Sequence, residues 1–324
     1  MAVTAAAGFP QQSGVLVPEI WSGKMLVEFY ETTVLSQICN TDYEGEIKNQ
    51  GDKVIIRTLP DIDVTDYEKG QEITYQLPQE GTIELIIDKG KLWAFRSDVV
   101  DEHQADLPFT EKRVTHAAKK TKISTERSEF QLIYAEAHAS NLGNTAGAIS
   151  ASIRLGATGA TANHVGLTAG ASGTSNKRNV LDFIVDCGVV LDEQNVPRDE
   201  GSRWMILPMF ACGMLKTSDL KDASITGDGT SPLRNGRHGM VDQFEIFGSN
   251  LLYSATDTGY TVTYALFGHT SAMSWAAQFT KTEALKSEKF FGMLNRGLTI
   301  YGRETLKPEA LGRAIVRRSI GADT

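Results

Sequence analysis

The chain has 324 residues, 41% of them apolar and 22% charged, with a formal net charge of −8. The length suits two domains or one elaborate one, and an acidic balance without a long basic run argues against sequence-wide nucleic-acid affinity. Cys39, Cys187 and Cys212 are widely spaced, with no CxxC pair, which argues against a disulfide framework or a structural zinc site and points to a reducing compartment.

Residues 1–15 are small and polar. The segment VPEIWSGKMLVEFYETTVLSQICN follows, with Ile20, Trp21, Met25, Leu26, Phe29 and Tyr30 at helical spacing behind Pro18. Val34, Leu35 and Ile38 continue that pattern to Cys39. A helix behind a loose leader reads as an arm that docks elsewhere. Strands are predicted at Lys53–Leu59, Thr82–Asp88 and Lys91–Ser97, with Lys89-Gly90 as a hairpin turn between the last two. The acidic stretch DIDVTDYEKGQEITYQLPQEG between the first two exceeds an ordinary hairpin loop.

A helix is predicted from Thr110 to Asn141, roughly 48 Å long at about 1.5 Å per residue. Its apolar positions are few: Val114, Ala117, Ala118, Ile123, Phe130, Ile133, Tyr134 and Ala137, after Phe109. A monomer has no evident use for a hairpin and helix this long and this polar, whereas a subunit that covers its neighbours does.

From Gly143 to Ser175 the chain is mostly Gly, Ala, Ser and Thr, which predicts an extended or flexible surface segment. NVLDFIVDCGVVLDEQNVP reads as an amphipathic helix ending near Pro197. Trp204–Leu207 is a short buried strand by composition, and Met209–Leu215 a short helix. Strands are predicted at Met240–Phe247 and Tyr260–Phe267, helical pattern at Ser271–Phe279, and a strand in GLTIYG before PEALGRAIVRR.

Chemistry-bearing motifs are missing. The six histidines show no metal-site spacing, and no GxSxG elbow or GxxxxGK[ST] phosphate loop occurs. Gly156 and Gly159 lack the preceding strand of a dinucleotide fingerprint. Asp61/Asp63 and Asp98/Asp101 read as solvated turn residues, as do the lysines at 119, 120 and 122 and the arginines at 313, 317 and 318. No stretch of about 18 apolar residues, secretory leader or Asn-x-Ser/Thr acceptor is present. A soluble, cytoplasmically made chain is expected.

Three segments together resemble the tailed-phage major capsid proteins of the Hong Kong 97-type fold. They are VPEIWSGKMLVEFYETTVLSQICN with GDKVIIRTLPDIDVTDYEKGQEI, then NVPRDEGSRWMILPMFACGML with LRNGRHGMVDQFEIFGSN, and finally HTSAMSWAAQFTKTEALKSEKFFGMLNRGLTIYGRETLKPEALG. The resemblance implies an α+β chain with an N-terminal arm at 1–41 and an extended β-hairpin loop at 42–98. It further implies a peripheral domain at 99–175 and 285–324 with a spine helix at 110–141, and a mixed α/β axial domain at 176–284.

The implied function is a major capsid protein whose pentamers and hexamers build an icosahedral or prolate shell around phage DNA, with procapsid maturation. The role is structural, with no catalytic residues, cofactor or metal. Candidate contacts between subunits are Trp21, Phe29, Tyr30, Arg57, Tyr67, Lys69, Glu72, Tyr75, Arg96, Lys112 and Arg113. Some family members carry a fused scaffold ahead of the arm, and only a short leader precedes Val17 here, so a separate scaffolding protein is expected. A portal, a decoration protein and packaged double-stranded DNA held without sequence-specific contacts complete the partners, with no membrane. The implied location is the virion, after assembly in the host cytoplasm. Lys69, Lys89 and Lys91 do not by themselves imply the covalent cross-links of the family's type member. Two alternatives are an encapsulin-like nanocompartment shell and an enzyme with a dispersed active site.

Overall fold

The computed structural model describes residues 31, 33–43, 53–60, 62–98, 103, 109–159, 163–170, 177–198, 202–218, 239–288 and 291–319. The chain is mixed α+β, with three sheets and few helices.

Strands β1 (Lys53–Thr58) and β2 (Gly81–Ile86) pair antiparallel, Lys53 opposite Ile86 and Thr58 opposite Gly81. Strand β3 (Lys89–Asp98) does not return along β2 as the expected Lys89-Gly90 turn required. Both residues open β3, where Lys89 lies opposite Tyr301 and Gly90 opposite Ile300 of a distant strand. Gly302 makes this possible, because a Cβ there would strike the Ile86 carbonyl. The chain crosses its neighbour at that point.

The long helix, α2, runs Phe109–Ile133, following a single-turn α1 at Leu35–Ile38. The expectation of one helix to Asn141 is corrected. After Ile133 the backbone tightens, Ala135 N–H donating to Leu132 O (3.0 Å) and Glu136 N–H to Ile133 O (3.1 Å). His138 N–H then turns to the Pro308 carbonyl (3.2 Å), and Arg313 Nη1 donates to the Tyr134 carbonyl (3.1 Å). Partners far along the chain take the groups that another helical turn would have used. A 3-10 turn at Ala139–Asn141 follows.

Residues 146–155 also depart from expectation. Ala146 and Leu155 are fully buried, and β4 (Val165–Thr168) lies inside the main sheet instead of over the surface. Next come β5 (Lys177–Asn179), α3 (Val180–Glu193), β6 (Arg203–Leu207) and α4 (Met209–Thr217). Asn179 caps α3 through its side-chain oxygen, which accepts from Leu181 N–H at 3.1 Å. At the other end of α3, buried Arg203 donates to Val196 O (2.6 Å), Pro197 O (3.0 Å) and Asp192 Oδ1 (2.9 Å). A cation there suits the negative end of the helix.

The stretch expected as one strand at Met240–Phe247 is a tight hairpin: β7 (Met240–Val241), a turn with positive φ at Asp242 and Gln243, and β8 (Phe244–Gly248). Strands β9 (Ser254–Asp257) and β10 (Tyr260–His269) follow. The expected helix at Ser271–Phe279 is instead a 3-10 turn at Thr270–Ala272 running into β11, Met273–Lys286. Its apolar residues fit either period. The hydrogen-bond partner decides, since β11 pairs along its length with β12 (Gly292–Thr305). β13 (Leu311–Arg318) ends the described chain.

The main sheet has the order β5-β4-β13-β10-β6-β8-β7, with β9 on β10. Its core joins Phe183, Ile184 and Val190 of α3 to Trp204, Phe267 and Leu311 of the sheet, and reaches Phe130 and Ile133 of α2. Each such side chain contributes roughly 1.5–3 kcal/mol by leaving water. The smaller sheet, β11-β12-β3, lies beside α2. The boundary expected between residues 284 and 285 thus falls inside β11, and β13 belongs to the main sheet.

Candidate assembly surfaces

Between β1 and β2 the chain runs extended and bare. Val64 is 95% exposed, Tyr75 88%, Leu77 87% and Tyr67 74%. It keeps its hairpin shape through polar ties: Asp63 N–H donates to Gln76 Oε1 (3.1 Å) and Gln76 Nε2 donates back to Asp63 O (2.8 Å). Gly70 turns the tip at φ +90°, with Gln71 N–H on the Glu68 carbonyl at 3.0 Å. An apolar row this exposed marks a surface awaiting a partner.

The base of this loop is held by a buried charge cluster. Arg303 on β12 donates through Nε to Glu129 of α2 (2.8 Å) and through Nη1 and Nη2 to Glu136 (2.6 Å each). Lys89, the first residue of β3, adds both oxygens of Glu129 at 3.0 Å, and Thr305 Oγ1 bonds Glu136. Two carboxylates against two cations leave the cluster neutral. Burial alone would raise Glu136, but hydrogen bonds and charge from Arg303, with Thr305 and Lys89, outweigh it and hold the carboxyl below its usual range. Burial likewise pulls the Arg303 guanidinium down, and Glu136 and Glu129 more than reverse that.

One turn earlier on α2, the buried Glu126 carboxylate accepts Val34 N–H at 2.9 Å on each oxygen and Leu35 N–H at 3.2 Å. Burial raises its pKa despite those bonds. Arg127 pairs with Glu31 at 2.7 Å. The root of the amino-terminal segment is therefore clamped to α2.

Between α2, α1 and the smaller sheet lies an open cleft of about 310 Å³, walled by Trp93, Val114, Ala118, Trp275 and Leu298 with Lys122 at its rim. Gly297 admits the Trp93 indole flat against the sheet, where any Cβ would collide with the ring. A second hollow of about 390 Å³ continues past Leu92 and Arg296.

Of the residues expected to make contacts between subunits, Tyr67, Lys69, Glu72 and Tyr75 lie on the bare loop and Arg57 on its β1 root, all exposed. Arg96 is exposed on β3 opposite Leu294, and Lys112 and Arg113 are exposed on the first turns of α2. Trp21, Phe29 and Tyr30 lie outside the described residues. Sequence reasoning missed Glu126, Glu129 and Arg303. The signal available was two acids three apart on a helix, which is more often a solvated face, and nothing local points to Arg303. Among the described residues no group of three or more His, Cys, Asp or Glu is placed to hold a metal ion, and no helix is long and apolar enough to cross a membrane.

No protein-family model matches the chain, and no curated protein matches it. Solved phage structures do. A chain of Mycobacterium phage Che8 matches with a TM-score of 0.70 and 22% identity, over 92% of this chain and 96% of that one. The capsid of cyanophage P-SCSP1u gives 0.64 and 12%, over 94% of each chain, and the capsid of Ralstonia phage GP4 gives 0.60 and 12%, over 100% of each. The architecture is thus one used by shell-building chains. It is the phage capsid fold of the Hong Kong 97 type, the fold the three sequence segments resembled.

Proposed function

We propose that this chain is the major capsid protein of a tailed phage, a structural and non-enzymatic subunit whose pentamers and hexamers close into a shell around double-stranded DNA. The observation that carries this is the bare loop of Val64, Tyr67, Tyr75 and Leu77 on a body with the capsid fold. Apolar side chains left in water by one copy need cover from another, and a closed shell repeats that contact until no edge remains.

In this reading residues 1–41 are the N-terminal arm and 42–98 the extended loop. α2 is the spine helix of a peripheral domain that includes β3, β11 and β12. The main sheet with α3 and α4 is the axial domain. The loop residues Tyr67, Lys69, Glu72 and Tyr75 meet an adjacent copy, as do Arg57, Arg96, Lys112, Arg113 and, on the arm, Trp21, Phe29 and Tyr30. A separate scaffolding protein, a portal and a decoration protein are the proposed partners. The subunit assembles in the host cytoplasm, resides in the virion and holds DNA without reading its sequence.

The test is sedimentation and electron microscopy of the purified chain, alone and with the scaffolding protein. Closed shells with rings of five and six are expected. A stable monomer under every assembly condition would overturn the proposal.

A further inference from the structure

The cleft beside α2 has walls suited to a ligand and a rim suited to an anion. Trp93, Trp275, Val114, Ala118 and Leu298 offer apolar and aromatic surface, with Lys122 at the edge. The first half of α2, Thr110–Lys122, carries five Lys or Arg and one Glu. The bare loop, residues 62–80, carries five carboxylates and one lysine, together with Tyr67, Tyr75 and Leu77. Sign and polarity are complementary between loop and cleft.

The occupant does not come from the same chain. Its own loop is exposed throughout, Tyr67 and Tyr75 included, so it is not seated there. Its own amino-terminal root leads away: Glu31 pairs with Arg127, nine residues along α2 from Ala118 and therefore about 180° round the helix from the cleft wall.

We propose that the cleft between α2 and the smaller sheet is the receptor for residues 62–80 of a second copy. The tyrosines enter between Trp93 and Ala118, and the carboxylates face the cationic half of α2. This rests on the shell reading and names the site at which one subunit grips the next. Aromatic anchors in a desolvated pocket carry most of the energy of such contacts, while the charges set register and speed of encounter.

Cysteine pairs in the assembled full-length protein test it. Tyr67→Cys, Glu72→Cys and Tyr75→Cys are each combined with Ala118→Cys and treated with a short bismaleimide. The native cysteines stay silent: all three are buried, and burial pushes the Cys39 thiol up to about 12 and the Cys212 thiol up to about 11. A ladder of covalent oligomers on a denaturing gel is expected from at least one pair. Single variants should give none, nor should pairs with Lys120→Cys, about 200° round the helix from Ala118. Particles that form normally without a ladder, a ladder as strong from Lys120→Cys, or a product confined to one chain overturns the cleft and leaves the shell reading standing. Absence of particles from the unmodified chain overturns both.

Should the cysteine pairs block assembly, a labelled peptide of residues 62–80 is titrated against the unassembled chain by fluorescence anisotropy. Saturable binding, weakened at least tenfold by Ala118→Trp, supports the proposal. Failure of the peptide to bind, or equal binding to Ala118→Trp, overturns it.

Discussion

Arg303 Nε donates to Glu129 Oε2 at 2.8 Å, and both side chains are buried, at 2% and 0% exposure. The two residues lie 174 positions apart, one on β12 and the other on α2. Through Lys89 the same carboxylate reaches the start of β3, so one charge cluster fixes helix, sheet and loop base together.

Replacing Arg303 by Ala should leave Glu129 and Glu136 with their main cation gone. Breaking a buried pair in this way costs about 3–5 kcal/mol. Chemical denaturation of the unassembled chain would show it as a lower midpoint. A loss below about 1 kcal/mol would mean that Lys89 alone satisfies the cluster.

Acid should weaken the cluster through Glu136. Its pKa in the folded chain is below the ordinary value, so its contribution is complete above the usual carboxylate range and disappears as pH falls through the folded pKa. Melting temperature measured against pH for the native chain and Glu136→Gln should show a gap near neutrality that closes below about pH 4. A gap of constant size down to pH 3 would contradict the assignment.

At Gly302 any side chain meets the Ile86 carbonyl. Gly302→Ala should therefore cost about 1–3 kcal/mol, as overpacking does. It should also loosen the crossing at the loop base, seen as faster limited proteolysis between residues 86 and 89. Unchanged stability and proteolysis would show that the crossing yields freely.

Trp204, 2% exposed on β6, packs in the main core. Its replacement by Ala should cost about 3–5 kcal/mol and reduce soluble yield. A variant that melts normally would remove Trp204 from the core.

Deleting residues 66–80 should spare the body, since the loop touches water along its length. Circular dichroism and melting should match the native chain, while closed particles become rare in sedimentation. A normal yield of shells would refute the loop's role.

Elements whose burial follows one period were legible in the sequence. Residues 180–193 repeat apolar side chains at helical spacing, and Trp204–Leu207 is short, continuous and apolar; both appear as expected. Misreadings arose where the partner is remote. Met273, Ala276 and Ala277 fit a helix as well as a strand, and β12 supplies the hydrogen bonds that choose. Lys89-Gly90 looks like a hairpin turn until Tyr301 and Ile300 take its backbone. The long helix stops where Pro308 and Arg313 capture its next carbonyl and amide groups.

By itself the sequence determined which segments would be exposed: a polar loop with apolar side chains has no internal pattern that could bury them. It also determined the core helix and strand, because periodicity states which side chains must leave water. Only the tertiary structure decided which strands pair, where α2 ends and which carboxylates are buried. Those choices depend on hydrogen-bond and charge partners far away in the chain, and an unpaired buried polar group is costly enough to override local preference.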